Sequence, residues 1–124
     1  MAMMTLNQDI QLVILFGSQV KGYANKNSDT DIAILADHPL SLHDHVIIAP
    51  EIAKFLNTNE DKLDIVDLWE ASPLLQQEIA TTGKLLYGDP FAFLRFRVLA
   101  WKRYQDTAKF RRARITALER IFKS

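Results

Sequence analysis

Two short apolar runs rich in β-forming residues open the chain: Leu12 to Phe16, closed by Gly17, and Thr30 to Leu35. Runs of this length bounded by turn residues predict buried strands. Ala36-Asp37-His38-Pro39 breaks the second, because proline lacks an N–H donor and restricts its predecessor. Val46, Ile47, Ala49, Ile52, Ala53 and Leu56 then recur at three-four spacing and predict a helix over about residues 42–57. Ser41 is its expected N-cap, Asp44 an imperfect capping-box partner and Pro50 a bend, while Asn57-Thr58-Asn59 end it. Residues 5–11 carry no assignable pattern.

Lys62 to Trp69 alternates and predicts a third strand, with Asp64, Val66 and Leu68 on one face and Leu63, Ile65, Asp67 and Trp69 on the other. Ser72-Pro73 supplies a cap and a first-turn proline for a helix that runs to Thr82 and stops at Gly83. Lys84 to Gly88 is a short strand, and Asp89-Pro90 starts the last element. From Phe91 no breaker occurs. Leu94, Val98, Trp101, Ala108, Ile115, Leu118 and Phe122 follow three-four spacing, interrupted by Gln105 and Arg112, which predicts one long amphipathic helix. Strands alternating with helices make this an α/β fold.

The formal charge of zero hides a division. Residues 95–124 carry ten Lys or Arg against two acids, a net of +8, and the remainder of the chain carries −8. Such a basic tail attracts an acidic partner or a polyanion. Its apolar stripe reads equally as a core-packing face and as a docking face, and no nucleic-acid recognition motif accompanies it. The length of 124 residues suits one domain, with 48% apolar and 24% charged residues as in ordinary soluble chains. No cysteine is present, so disulfides and thiolate metal sites are excluded. Neither a signal peptide nor a membrane-length apolar segment is visible, and the cytoplasm is the expected location.

Candidate chemistry concentrates between the first two strands. Asp29 and Asp31 lie two apart at the mouth of the second, so on extended backbone they project to one side as an adjacent pair. Two carboxylates that close repel unless a cation lies between them, and their hard oxygens suit Mg²⁺. Gly17 lets backbone approach a ligand closely, and Gln19 to Tyr23 could start a helix whose free N–H groups receive a phosphate. The Ser18 hydroxyl can donate to a phosphate oxygen, and Lys21 adds a positive charge. Asp67 reads as a strand-end or structural acid and Trp69 as a core or interface aromatic. His38, His43 and His45 read as a solvated helix start rather than metal ligands.

Gly17-Ser18, ten residues, then Asp29-Thr30-Asp31 is an order that resembles the minimal nucleotidyltransferase branch of the polymerase-β-like superfamily. The resemblance covers residues 12–88 and is strongest in 15–35. It implies a small mixed sheet, with residues 1–89 as the nucleotidyltransferase core and 90–124 as a basic C-terminal helix of the same domain. It further implies that Asp64 is a third acid beside Asp29 and Asp31, and that these three hold two Mg²⁺ ions. Gly17, Ser18 and Lys21 would then hold the phosphates of ATP. Gln19-Val20 departs from the common family pattern, which bears on the phosphate contacts.

The added domains of polymerases and of antibiotic adenylyltransferases are not expected in these 124 residues. The chain is similar to the antitoxins of HEPN/MNT systems, which transfer AMP to a tyrosine of a HEPN-domain ribonuclease toxin. The toxin is the partner this implies, docked through residues 91–124, with no membrane and no nucleic acid expected. The rival readings are a small-molecule nucleotidyltransferase, a non-catalytic antitoxin that acts by binding alone, and a nucleic-acid-binding module.

Overall fold

A computed structural model describes residue 4, residues 6–17 and residues 29–123. Within them lie β1 (Ile10–Phe16), β2 (Thr30–Ala36), α1 (Leu42–Leu56), β3 (Leu63–Asp67), α2 (Pro73–Thr82), β4 (Lys84–Gly88) and α3 (Pro90–Lys123). The strands form one sheet in the order β3-β2-β1-β4. β1 pairs antiparallel with both β2 and β4, and β2 pairs parallel with β3, so the sheet is mixed.

Helices cover both faces, which is why β1 and β2 read as near-continuous apolar runs. On one side Leu12, Ile14, Phe16 and Ala33 pack with Ile79 and Ala80 of α2 and with Phe96 and Ala100 of α3. On the other, Val13, Ile32 and Ile34 pack with Ile48 and Ile52 of α1. Burying each such aliphatic side chain contributes about 1.5–3 kcal/mol before conformational entropy is counted. β1 begins two residues earlier than its apolar run, and a register shift between Ile10 and Leu12 turns Ile10 to the α1 side.

Local chemistry sets the element ends. The capping box of α1 is complete: the Asp44 N–H donates to Ser41 Oγ at 3.1 Å, and the Ser41 N–H donates to Asp44 Oδ2 at 2.8 Å. The helix runs through Pro50 and ends at Asn57 in the left-handed conformation. β3 is shorter than the alternation suggested: Lys62 closes a 3-10 turn, and Leu68 to Glu70 turn away.

The faces of α3 also differ from expectation. Phe96 and Ala100 are the buried residues, with Phe93 and Ala92 partly buried beside them, whereas Leu94, Val98 and Trp101 face solvent. The helix has apolar residues on two sides, so three-four spacing alone could not say which side meets α2. Gln76 joins the layers. Its Nε2 donates to the carbonyls of Leu68 and Ala71, and its Oε1 accepts from Arg103 Nη1 at 3.1 Å.

Candidate active site

β1 ends at Phe16, β2 begins at Thr30 and β3 at Leu63, so three strand ends meet at one margin of the sheet. Phe16 is opposite Asp31 in the β1–β2 ladder, and Asp31 is opposite Asp64 in the β2–β3 ladder. Laterally paired residues project to the same face. Asp31 and Asp64 therefore stand side by side, on the face that carries Ala33, Val66 and Leu68.

Their crowding has an electrostatic signature. The Asp31 carboxyl is held above the usual carboxylate range, first by partial burial and then by the charges of Asp64 and Asp29. A hydrogen bond with the Asp64 side chain and the charge of Glu78 in α2 push in the same direction. Nothing in the sequence around Glu78 signals this influence. The packing of α2 on the sheet, a long-range property, brings its charge to bear on Asp31. Asp64 is itself exposed on the edge strand β3, so its charge stays hydrated and the strand carries it at little cost.

Gly17 completes the described part of the cluster. Its φ is +79°, and a Cβ built there would lie 2.2 Å from Asp31 Oδ2. Only a residue without a side chain leaves that carboxylate its place. Ser18, Lys21 and the helix start at Gln19 to Tyr23 lie outside the described residues.

The other acids and histidines separate from this cluster. Asp67 points to the opposite face, is buried, and accepts the N–H groups of Leu40 at 2.9 Å and Trp69 at 3.0 Å, which makes it a structural acid. The Trp69 indole N–H donates to the Ala36 carbonyl at 2.8 Å, although much of its ring is exposed.

His38 is not merely solvated. Its Nδ1 donates to the Pro39 carbonyl at 2.8 Å and its Nε2 donates to Asp9 Oδ2 at 2.6 Å. The carbonyl first, and the carboxylate second, push its pKa up to about 9. Asp9, Asp37 and His38 bring one ligating atom each within 4.8 Å of one another. Both ring nitrogens of His38 are already engaged, however, so an internal ion pair accounts for this group.

Asp29, Asp31 and Asp64 thus gather at one margin of the sheet, against Gly17. A family model for polymerase beta nucleotidyltransferases matches residues 2–90. The chain belongs to the polymerase beta nucleotidyltransferase family. Two curated relatives carry the name protein adenylyltransferase MntA. The one from Shewanella oneidensis is 40% identical over 79 residues, covering 64% of this chain and 55% of the relative. The one from Aphanizomenon flos-aquae is 35% identical over 103 residues, covering 73% of this chain and 67% of the relative.

Solved structures extend the likeness to the fold. A toxin–antitoxin crystal structure with AMP-PNP superposes with a TM-score of 0.74 at 34% identity, covering 91% of this chain and 89% of that one. The tri-AMPylated Shewanella oneidensis HEPN toxin in complex with its MNT antitoxin gives 0.66 at 32% identity, covering 91% and 86%. Among the described residues no helix is long and apolar enough to cross a membrane.

Proposed function

We propose that this chain is an antitoxin that transfers AMP from ATP to a tyrosine hydroxyl of a cognate HEPN-domain toxin and thereby neutralises it. The observation that carries the reading is the lateral pairing of Asp31 with Asp64, next to Asp29 and against Gly17. The names of the adenylyltransferase relatives, and the AMPylated toxin in one structural neighbour, support the choice of acceptor.

The donor set fits divalent cations. Three carboxylates of one charge, close enough to raise the pKa of Asp31, are stabilised by a hard cation that shares their oxygens. In this reading Asp29, Asp31 and Asp64 hold Mg²⁺, two ions by the family pattern. When bound, the metal supplies charge neutralisation for the triphosphate.

The chain's own groups do the rest by position. Asp64, exposed on its edge strand, accepts the proton of the attacking tyrosine hydroxyl. The oxygen bonds to the α-phosphorus, the bond to the β-phosphate breaks, and pyrophosphate leaves. Gly17 admits the nucleotide close to backbone, with Ser18 and Lys21 assigned to the phosphates. Holding acceptor and donor in line accounts for most of the acceleration such a site provides. The same proposal takes residues 1–89 as the catalytic core and 90–124 as part of that domain.

Purified chain with ATP, Mg²⁺ and its cognate HEPN-domain toxin is expected to yield toxin heavier by whole AMP units in intact mass spectra. Omitting Mg²⁺, or replacing Asp29 and Asp31 together by Asn, should abolish the added mass. A doubly substituted protein that still modifies the toxin at the parent rate would refute the assignment.

A further inference from the structure

We propose that the groove between α2 and α3 seats an amphipathic helix of the toxin that is apolar at one end and acidic at the other. Gln77, Ala80 and Thr81 of α2 line it on one side, and Leu94, Arg97, Val98 and Trp101 of α3 on the other, around about 370 Å³ of space. Leu94, Val98 and Trp101 are each more than half exposed, at 55%, 56% and 56%. Phe91 and Leu74 lengthen the exposed apolar surface along both helices. A contiguous surface of this kind marks an interaction site more often than isolated exposed side chains do.

Two further observations define the occupant. Gln77 Oε1 is shut off from solvent and has no hydrogen-bond partner among the described residues. Gln77 lines the groove, and a rotation of its side chain on binding would bring that oxygen to an N–H or O–H donor of the incoming segment. The face of α3 that begins with Phe91, Leu94, Val98 and Trp101 continues, by steps of three and four, to Gln105, Lys109 and Arg112. These later residues are exposed, so the apolar stretch along the groove is followed by a basic one, before Ile115, Leu118 and Phe122 resume the apolar pattern beyond it.

A partner helix laid along it gains apolar contact at one end and charge complementarity at the other. A second copy of α3 is a poor match, because the net charge of +8 over residues 95–124 would oppose itself. That the partner is the toxin rests on the proposed function.

The test titrates the full chain with its cognate HEPN-domain toxin and measures affinity and AMP transfer in the same samples. Val98→Glu, at an exposed position, should keep the circular dichroism of the parent and weaken toxin affinity by at least about tenfold. Lys109→Glu with Arg112→Glu should weaken it at low salt, and less at high salt. Gln77→Leu should raise the melting temperature of the free chain while lowering toxin affinity, a combination that a merely structural glutamine would not give.

Toxin affinity within about twofold of the parent in Val98→Glu and in the double charge reversal overturns the groove assignment. So does a self-associated chain that Val98→Glu dissociates without changing toxin affinity. AMP transfer separates the two proposals. A parent chain that binds toxin, loses affinity on Val98→Glu, yet never adds AMP sinks the catalytic reading and leaves the groove standing. Equal affinity and equal transfer in parent and variants sink the groove alone.

Discussion

Gly17→Ala is the sharpest perturbation of the site, because its two consequences differ greatly in size. An alanine Cβ would lie 2.2 Å from Asp31 Oδ2, 3.1 Å from its Cγ and 3.3 Å from its Cβ. Bringing the carboxylate oxygen back to ordinary contact requires a displacement of about 1 Å, and misplacement on that scale costs roughly 10²-fold in rate. The backbone adds its own term, since φ is +79° and an L-residue there loses about 1–2 kcal/mol. For a chain of this size that lowers Tm by roughly 4–8 °C.

Gly88→Ala is the matched control. Its φ is +124°, and its Cβ would lie 2.3 Å from the Gln11 carbonyl oxygen and 2.8 Å from Leu12 Cδ2. Gly88 is paired with Leu12, toward the end of β1 remote from Gly17. It should destabilise comparably and leave the transfer rate of the folded protein unchanged. Thermal melts and initial rates of AMP transfer below both melting points decide the matter. If Gly17→Ala keeps a rate within about threefold of the parent, or Gly88→Ala loses as much rate, Asp31 is not held in place for the chemistry.

Asp67→Ala strands the N–H groups of Leu40 and Trp69, so urea denaturation should report a loss of about 2–4 kcal/mol, with Asp67→Asn recovering about half. A loss under about 0.5 kcal/mol for Asp67→Ala would contradict its structural role. His38 has a folded-state pKa of about 9 against an ordinary 6.5, so it binds its proton more tightly when folded. Its stabilisation is complete below pH 6.5 and disappears as pH rises through 9. Asp9, Asp37 and Asp44 are the acids that face it, at 2.6, 3.5 and 3.9 Å. Melting curves of the parent should fall across this range more steeply than those of His38→Ala; parallel curves would show that the pair contributes nothing.

Much of the fold was legible because β1 and β2 are buried on both faces and announce themselves as continuous apolar runs. The acids were legible for a different reason. Asp29 and Asp31 are two apart in sequence; alternation separates Asp64 from Asp67, the family resemblance points to Asp64, and the β2–β3 register sets it beside Asp31. The capping of α1 was understated because Asp44 is a shorter partner than the usual Glu, and only geometry shows that it reaches.

Long-range arrangement was not legible. The charge of Glu78 reaches Asp31 through helix packing, and Asp9 meets His38 across 29 residues of chain. In α3, the choice between Phe96 with Ala100 and Val98 with Trp101 as the core face depends on how α2 lies beside it.

β3 is fastened to the sheet along one side only, and contacts beyond the ladder hold its end away from Asp64. The Leu68 N–H donates to the Ile34 carbonyl at 3.0 Å, Asp67 grips Leu40 and Trp69, and the indole of Trp69 clasps Ala36. This latch lies roughly 10 Å along the strand from Asp64. It fixes the phase of the strand, and slippage by one residue would invert every side chain and turn Asp64 away from Asp31. A substitution at the latch can thus silence the proposed centre while touching none of its atoms.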